Sequence, residues 1–201
     1  MESLQPRVMK RICVFCGSSM GNRPTFQAAA QQLGQTLLER DIGLVYGGGS
    51  VGLMGEIART VAEGGGQVIG IIPGALKTKE IVGAVYGELI EVATMHERKA
   101  KMANLADAFI AMPGGYGTLD ELFEAVTWGQ LGIHQKPIGL LNVDEYFTPL
   151  AQWVDNALAM GFVRPQHRAL LAMAAEPTHL LDQLVAYVPA PGLVSWENLR
   201  R

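Results

Sequence analysis

Six short apolar runs alternate with longer stretches of helical periodicity along this chain, and that alternation leaves few folds open. The runs cover 11–16, 42–46, 67–72, 88–92, 108–112 and 137–141, and helical patterns fill 24–40, 53–63, 96–106 and 118–131. Hydrophobicity within the runs is continuous rather than alternating, as in strands covered on both faces. Strand–helix–strand order then requires a parallel sheet with right-handed crossovers. The expectation is an α/β chain with one Rossmann-like domain over 1–201, a doubly wound parallel sheet flanked by helices. Stretches 146–160, 166–174 and 177–187 read as further helices that cover a sheet edge or meet a partner, while 1–9 and 189–201 read as irregular tails.

A chain of 201 residues is long enough for one sizeable core. With 49% hydrophobic and 17% charged residues it is globular rather than disordered. A net charge of −3 gives no general attraction to nucleic acid or to anionic membrane. No apolar run approaches the roughly 18 residues of a membrane span, and the first residues lack a signal-peptide pattern, so a cytoplasmic protein without nucleic-acid or membrane partners is expected. Cys13 and Cys16 form a C-x-x-C inside a strand. Residues three apart on a strand face opposite ways, which opposes a disulfide and favours two buried, structural thiols. Without a second cysteine pair or clustered histidines, no metal site is expected.

The 24 glycines gather in short clusters at strand ends. They are Gly17-Ser18-Ser19, Gly47-Gly48-Gly49-Ser50, Pro73-Gly74 and Pro113-Gly114-Gly115. In an open parallel sheet, ligands bind outside the carboxyl ends of the strands, so four such turns on one rim describe a pocket floor. The most informative is Pro113-Gly114-Gly115-Tyr116-Gly117-Thr118-Leu119-Asp120-Glu121, which follows the strand at 108–112. Glycines let the backbone approach a ligand, and the free N–H groups of the helix that opens here, with acids near its start, favour an anion such as a phosphate. Gly47, Gly49 and Gly52 match G-x-G-x-x-G, but the next strand ends in Pro73-Gly74 rather than in an acid, so a dinucleotide cofactor is not expected.

Three sets of charged residues stay open between a structural and a functional role. Thr118 and Glu121 fit a capping box as well as a catalytic carboxylate beside the anion. Arg98, Lys99 and Lys101, with His96 alongside, form either a solvated basic face or a cationic wall for a phosphate or carboxylate. Glu80, on the loop after Pro73-Gly74, is either surface charge or an acceptor for sugar hydroxyls or base N–H groups.

Together, Cys16-Gly17-Ser18-Ser19, Tyr46-Gly47-Gly48-Gly49, Gly52-Leu53-Met54-Gly55, Met95-His96-Glu97-Arg98-Lys99 and Pro113 to Glu121 resemble the Lonely Guy family, the cytokinin riboside 5′-monophosphate phosphoribohydrolases. The resemblance runs from about residue 10 to 190 and includes the complete hallmark PGGxGTxxE. It implies hydrolysis of the N-glycosidic bond of N6-modified adenosine 5′-monophosphates to free base and ribose 5-phosphate, without metal or redox cofactor. Carried over by position, Arg98 and Glu121 form the catalytic pair. Substrate contacts fall on the same Arg98 and Glu121 and on Glu80, Lys99, Gly114, Gly115, Tyr116, Gly117, Thr118, Leu119, Asp120 and Thr127, joined by Gly17, Ser18, Gly47, Gly48 and Met95. An Arg98 neighbour is expected to lower the Glu121 pKa and keep it ionised. The family's old label, lysine decarboxylase, lacks a pyridoxal-phosphate lysine context here. Ala84 replaces a second acid that the family often shows near Glu80, which leaves the base preference open, and Asp120 stands where Glu is frequent. The resemblance also implies a homodimer, for which Trp153 and Leu158 on the late helices offer apolar surface. The alternatives are a general AMP or nucleoside-monophosphate nucleosidase and a non-enzymatic carrier of nucleotide or molybdenum cofactor.

Overall fold

The computed structural model describes residues 7–77 and 84–194. Seven parallel strands form one sheet: β1 (Arg11–Phe15), β2 (Gly43–Tyr46), β3 (Val68–Pro73), β4 (Glu88–Val92), β5 (Ala108–Ala111), β6 (Ile138–Leu141) and β7 (Leu171–Ala174). Their order is β4-β3-β2-β1-β5-β6-β7. Helices α1 (Pro24–Glu39), α2 (Gly52–Glu63), α3 (Met95–Leu105), α4 (Tyr116–Leu131), α5 (Thr148–Ala159) and α6 (Pro177–Val185) connect and cover them.

Strand alternation sorts the core into two layers. From β1, Ile12 and Val14, with Cys16 just after it, pack with Leu33 and Leu37 of α1, Ile57 and Val61 of α2, and Leu180 and Leu184 of α6. Cys13 and Phe15 face the other way, onto Met102 of α3 and Leu122 and Ala125 of α4. The two thiols are therefore free, buried and on opposite faces, as their spacing predicts. On β5, Ile110 joins the first layer while Phe109 joins the second, stacked on Phe15 at 5.8 Å between ring centroids. Helices on both faces explain why the inner strands carry no polar side. At the edge, β4 carries Glu88 and Glu91 and is only partly covered, which discourages pairing with a further strand.

Winding reverses at β1. The chain steps outward through β2, β3 and β4, then α3 returns it to the far side of β1 as β5. β1 and β5 pair in register from Ile12↔Ala108 to Phe15↔Ala111. Hydrogen bonds extend the ladder into the turns: Met112 N–H donates to Phe15 O at 2.9 Å, and Gly17 N–H to Pro113 O at 3.0 Å.

Three expectations are corrected. Residues 171–174 form strand β7 rather than helix, preceded by a 3-10 turn at Pro165–Leu170. Leu171-Ala172-Met173-Ala174 has helical propensity, but pairing with the exposed edge of β6 outweighs it. The helix expected from 146 begins at Thr148 with Pro149 in its first turn, leaving Tyr146 in the preceding turn. The capping box also lies elsewhere. Thr94 caps α3, its hydroxyl accepting from Glu97 N–H at 3.1 Å while the Glu97 carboxylate accepts from Ala93 N–H at 2.8 Å. α4 instead starts at Tyr116 with Gly115 as its N-cap and no acid in its first turn, so Thr118 and Glu121 lie inside the helix.

Phe109 is fully buried at the centre of the second layer, touching both Phe15 and His134. Phe109→Ala is expected to lower stability by about 3–5 kcal/mol, read as a lower urea midpoint with little change in slope.

Candidate functional site

The β1–β5 junction is the topological switch point, where an open parallel sheet forms its ligand crevice. A cleft of about 310 Å³ opens there, floored by Gly17, Ser18, Gly114 and Gly115 and walled by Phe26, Leu53 and Tyr146. Close backbone approach makes the floor. The N-terminus of α2 meets the β1 turn at Gly52, which has φ +63° and where a Cβ would lie 2.2 Å from the Ser18 carbonyl carbon. Met54 N–H donates to Gly17 O at 3.3 Å across the same contact.

α4 points its N-terminus at this rim. The first N–H groups of a helix have no intrahelical partner, and no side chain caps α4. A Cβ at Gly115 or Gly117 would meet nothing within 4 Å. The turn thus presents backbone donors and the positive end of a helix dipole to open space, a place suited to an anion. Thr118 is turned inward, 4% exposed, against Gly114.

One helical turn further, Glu121 meets Arg98 of α3. Arg98 is buried and held from three sides. Its Nη1 donates to Glu121 Oε1, its Nε donates to Ile71 O at 3.1 Å, and its guanidinium lies over Gly47, where a Cβ would come within 2.0 Å of Nη2. Gly47 is thus the seat for Arg98 at the end of β2. Next to this pair, Lys99 Nζ lies 3.0 Å from Asp120 Oδ2 and 2.6 Å from Glu124 Oε2. The two ion-pair sets clasp α3 to α4. Of the basic cluster, Arg98 turns into the protein, while His96 and Lys101 remain exposed.

Electrostatics at Glu121 corrects the expected direction. Burial pushes its carboxyl above the ordinary glutamate range, and the Arg98 guanidinium offsets this only in part. With side chains only 10% exposed on both partners, desolvation of the charged form outweighs the attraction.

The structure brings Gly17, Ser18, Gly114 and Gly115 together at the cleft, with Thr118 against Gly114, and sets Gly47, Arg98 and Glu121 together one helical turn away. Gly48, with φ +78°, packs on Ile72 and Leu89. Leu119, Asp120 and Thr127 lie with Tyr116 along an outer face of α4 beside Lys99, away from the cleft floor. Met95 is exposed at the start of α3. Glu80 lies outside the described residues. Sequence reasoning missed Tyr146, Phe26 and Leu53 as cleft walls; the signal for Tyr146 was its place on a strand-end loop of the same rim. Among the described residues, no group of three or more His, Cys, Asp or Glu side chains is placed to share a metal ion.

A family model described as "Possible lysine decarboxylase" matches residues 54–184. A cytokinin riboside 5′-monophosphate phosphoribohydrolase of Arabidopsis thaliana is 55% identical over 189 residues, covering 94% of this chain and 87% of that protein. A second from the same plant is 52% identical over 203 residues, covering 99% and 94%. Among solved structures, the molybdenum cofactor carrier protein of Chlamydomonas reinhardtii superimposes with a TM-score of 0.65 at 26% identity, covering 88% of this chain and 98% of that one.

The pairing geometry has a direct spectroscopic consequence. A carbon-13 NMR titration is expected to place the Glu121 carboxyl midpoint above the ordinary glutamate range. In Arg98→Ala the midpoint is expected to rise further, because the guanidinium no longer favours the charged form.

Proposed function

Because this chain belongs to the Lonely Guy family of cytokinin riboside 5′-monophosphate phosphoribohydrolases, we propose that it hydrolyses the N-glycosidic bond of N6-modified adenosine 5′-monophosphates, releasing the free base and ribose 5-phosphate. The single observation that carries the reading is the meeting of Arg98 and Glu121 one turn beyond an uncapped, glycine-rich helix N-terminus. The 5′-phosphate sits on the N–H groups of Gly115 to Thr118, with Ser18 across the cleft. That anchor sets the ribose C1′ beside Glu121.

Glycosidic cleavage passes through an oxocarbenium-like transition state. As the bond from C1′ to the base nitrogen breaks, its electron pair leaves on the base, which takes up a proton from solvent, and the Glu121 carboxylate stabilises the cation. It also takes a proton from the water whose oxygen bonds to C1′ and returns that proton to solvent. Arg98 orients the carboxylate and, by offsetting the effect of burial, keeps its ionised form available. Lys99, Asp120 and Glu124 hold the two helices so that the pair stays in place. Glu80, Met95 and Thr127 complete the proposed substrate contacts, and Gly47 and Gly48 shape the wall behind Arg98.

In this reading the protein works as a cytoplasmic homodimer. Supporting the dimer, Trp153, Met160 and Phe162 lie exposed on and just after α5 (Trp153 56%, Phe162 84%), an apolar surface that a second copy would cover. No described helix is long and apolar enough to cross a membrane. The structural likeness to a molybdenum cofactor carrier keeps a second reading in play, that of a carrier that binds without turnover. The far higher identity to the hydrolases, and the presence of both Arg98 and Glu121, favour catalysis.

Purified protein offered isopentenyladenosine 5′-monophosphate, isopentenyladenosine and AMP is expected to release free isopentenyladenine from the monophosphate and not from the riboside. Faster cleavage of AMP would make it a general nucleosidase, and nucleotide binding without any product would make it a carrier. Glu121→Gln is expected to lower kcat by about 10³-fold or more while the fold, checked by circular dichroism, is kept at a lower Tm, and Arg98→Ala to lower kcat/KM by about 10²-fold or more. Near-normal turnover by Glu121→Gln would remove Glu121 from the chemistry.

A further inference from the structure

Beside the glycine turn runs a segment with a strained backbone. After β6 the chain turns through Asn142 to Phe147, and there Asp144 (φ 49°) and Glu145 (φ 60°) are both left-handed. Residues other than glycine hold that conformation where their surroundings impose it. Here the surroundings are specific. Thr25 Oγ1 donates to Asp144 Oδ2 at 2.5 Å, and Arg23 Nη1 lies 3.4 Å from the same oxygen. The Asn142 side chain donates to Thr148 Oγ1 at 3.0 Å and accepts from Phe147 N–H at 2.7 Å.

The effect of this bracing is the position of Tyr146. Its ring meets Phe26 and Phe147 edge-on, at centroid distances of 6.0 and 5.1 Å. Its hydroxyl donates to Gly114 O at 2.5 Å. That oxygen belongs to the same planar peptide as the Gly115 N–H, on the opposite side of it. Holding the oxygen therefore sets the direction of the donor that opens the α4 N-terminus. Glycine at 114 and 115 offers no side chain that could do so, and a Cβ at Gly115 would meet no neighbour.

We propose that Tyr146 is a positioning residue for the phosphate cradle, aimed at Gly114 by the strained Asp144-Glu145 turn so that the Gly115 N–H is oriented before substrate arrives. The inference rests on the phosphate site proposed above. Preset donors lower the ordering cost of binding, so the effect falls on affinity rather than on the chemical step.

The test measures AMP binding by calorimetry, steady-state turnover of isopentenyladenosine 5′-monophosphate, and Tm. It uses the wild type, Tyr146→Phe, Asp144→Ala and the double variant. Tyr146→Phe is expected to weaken AMP binding about fivefold to tenfold, the scale of one hydrogen bond, and to raise KM in the same ratio with kcat kept. Asp144→Ala is expected to do the same, and the double variant to be no worse than either, because both act through one contact. Wild-type AMP affinity in Tyr146→Phe, a fall in kcat or Tm without a change in KM, or multiplying effects in the double variant would overturn the assignment. A wild type that binds AMP through Tyr146 yet cleaves no nucleotide would sink the proposed activity and leave the cradle assignment standing. Full turnover with unaltered affinity in Tyr146→Phe would do the reverse.

Discussion

The parallel pairing of β1 with β5 is the contact on which the rest of the site depends. It joins two strands separated by nearly half the chain, and it continues past the strand ends through the bonds from Met112 to Phe15 and from Gly17 to Pro113. Those bonds set the Gly17 and Gly114 turns side by side. The α4 N-terminus then opens onto the crevice, and α3, which delivers the chain to β5, arrives with Arg98 facing Glu121. Phe15 and Phe109, stacked across the same pairing, lock it from below.

At Glu121, one helical turn beyond the crevice, the balance is between desolvation and attraction. A carboxyl that is nine-tenths covered loses much of its hydration, and one buried guanidinium restores part of that loss. Raising the carboxyl above its ordinary range strengthens it as a proton acceptor in its ionised form, the form that stabilises positive charge. Arg98 is fixed by a strand-end carbonyl and by contact with Gly47, so the guanidinium is already in place and little reorganisation accompanies the reaction.

Much of this was legible in the chain. Continuous apolar strands, alternating with helices, fixed the doubly wound sheet, and the period of two placed Cys13 and Cys16 on opposite faces. The glycine turn after β5 marked the proposed anion site, and PGGxGTxxE with Met95-His96-x-Arg98-Lys99 marked the family. Local signals misled where competing interactions were non-local. Leu171 to Ala174 favour helix until the edge of β6 is offered to them. Thr118 and Glu121 match a capping box, yet α4 begins two residues earlier, and Glu121 is drawn to Arg98 instead.

By itself, then, the sequence determined the class of fold, the glycine turns at the strand ends and the residues proposed to carry the chemistry, because periodicity and glycine placement are local properties of the chain. Tertiary structure alone decided which charges pair, how burial shifts Glu121, and that Tyr146 reaches Gly114 from a turn braced by Thr25 and Arg23. Those outcomes depend on the approach of segments 21 to 121 residues apart, from Lys99 and Asp120 to Arg23 and Asp144. Such distances are set by how helices and strands pack, which no stretch of sequence encodes locally.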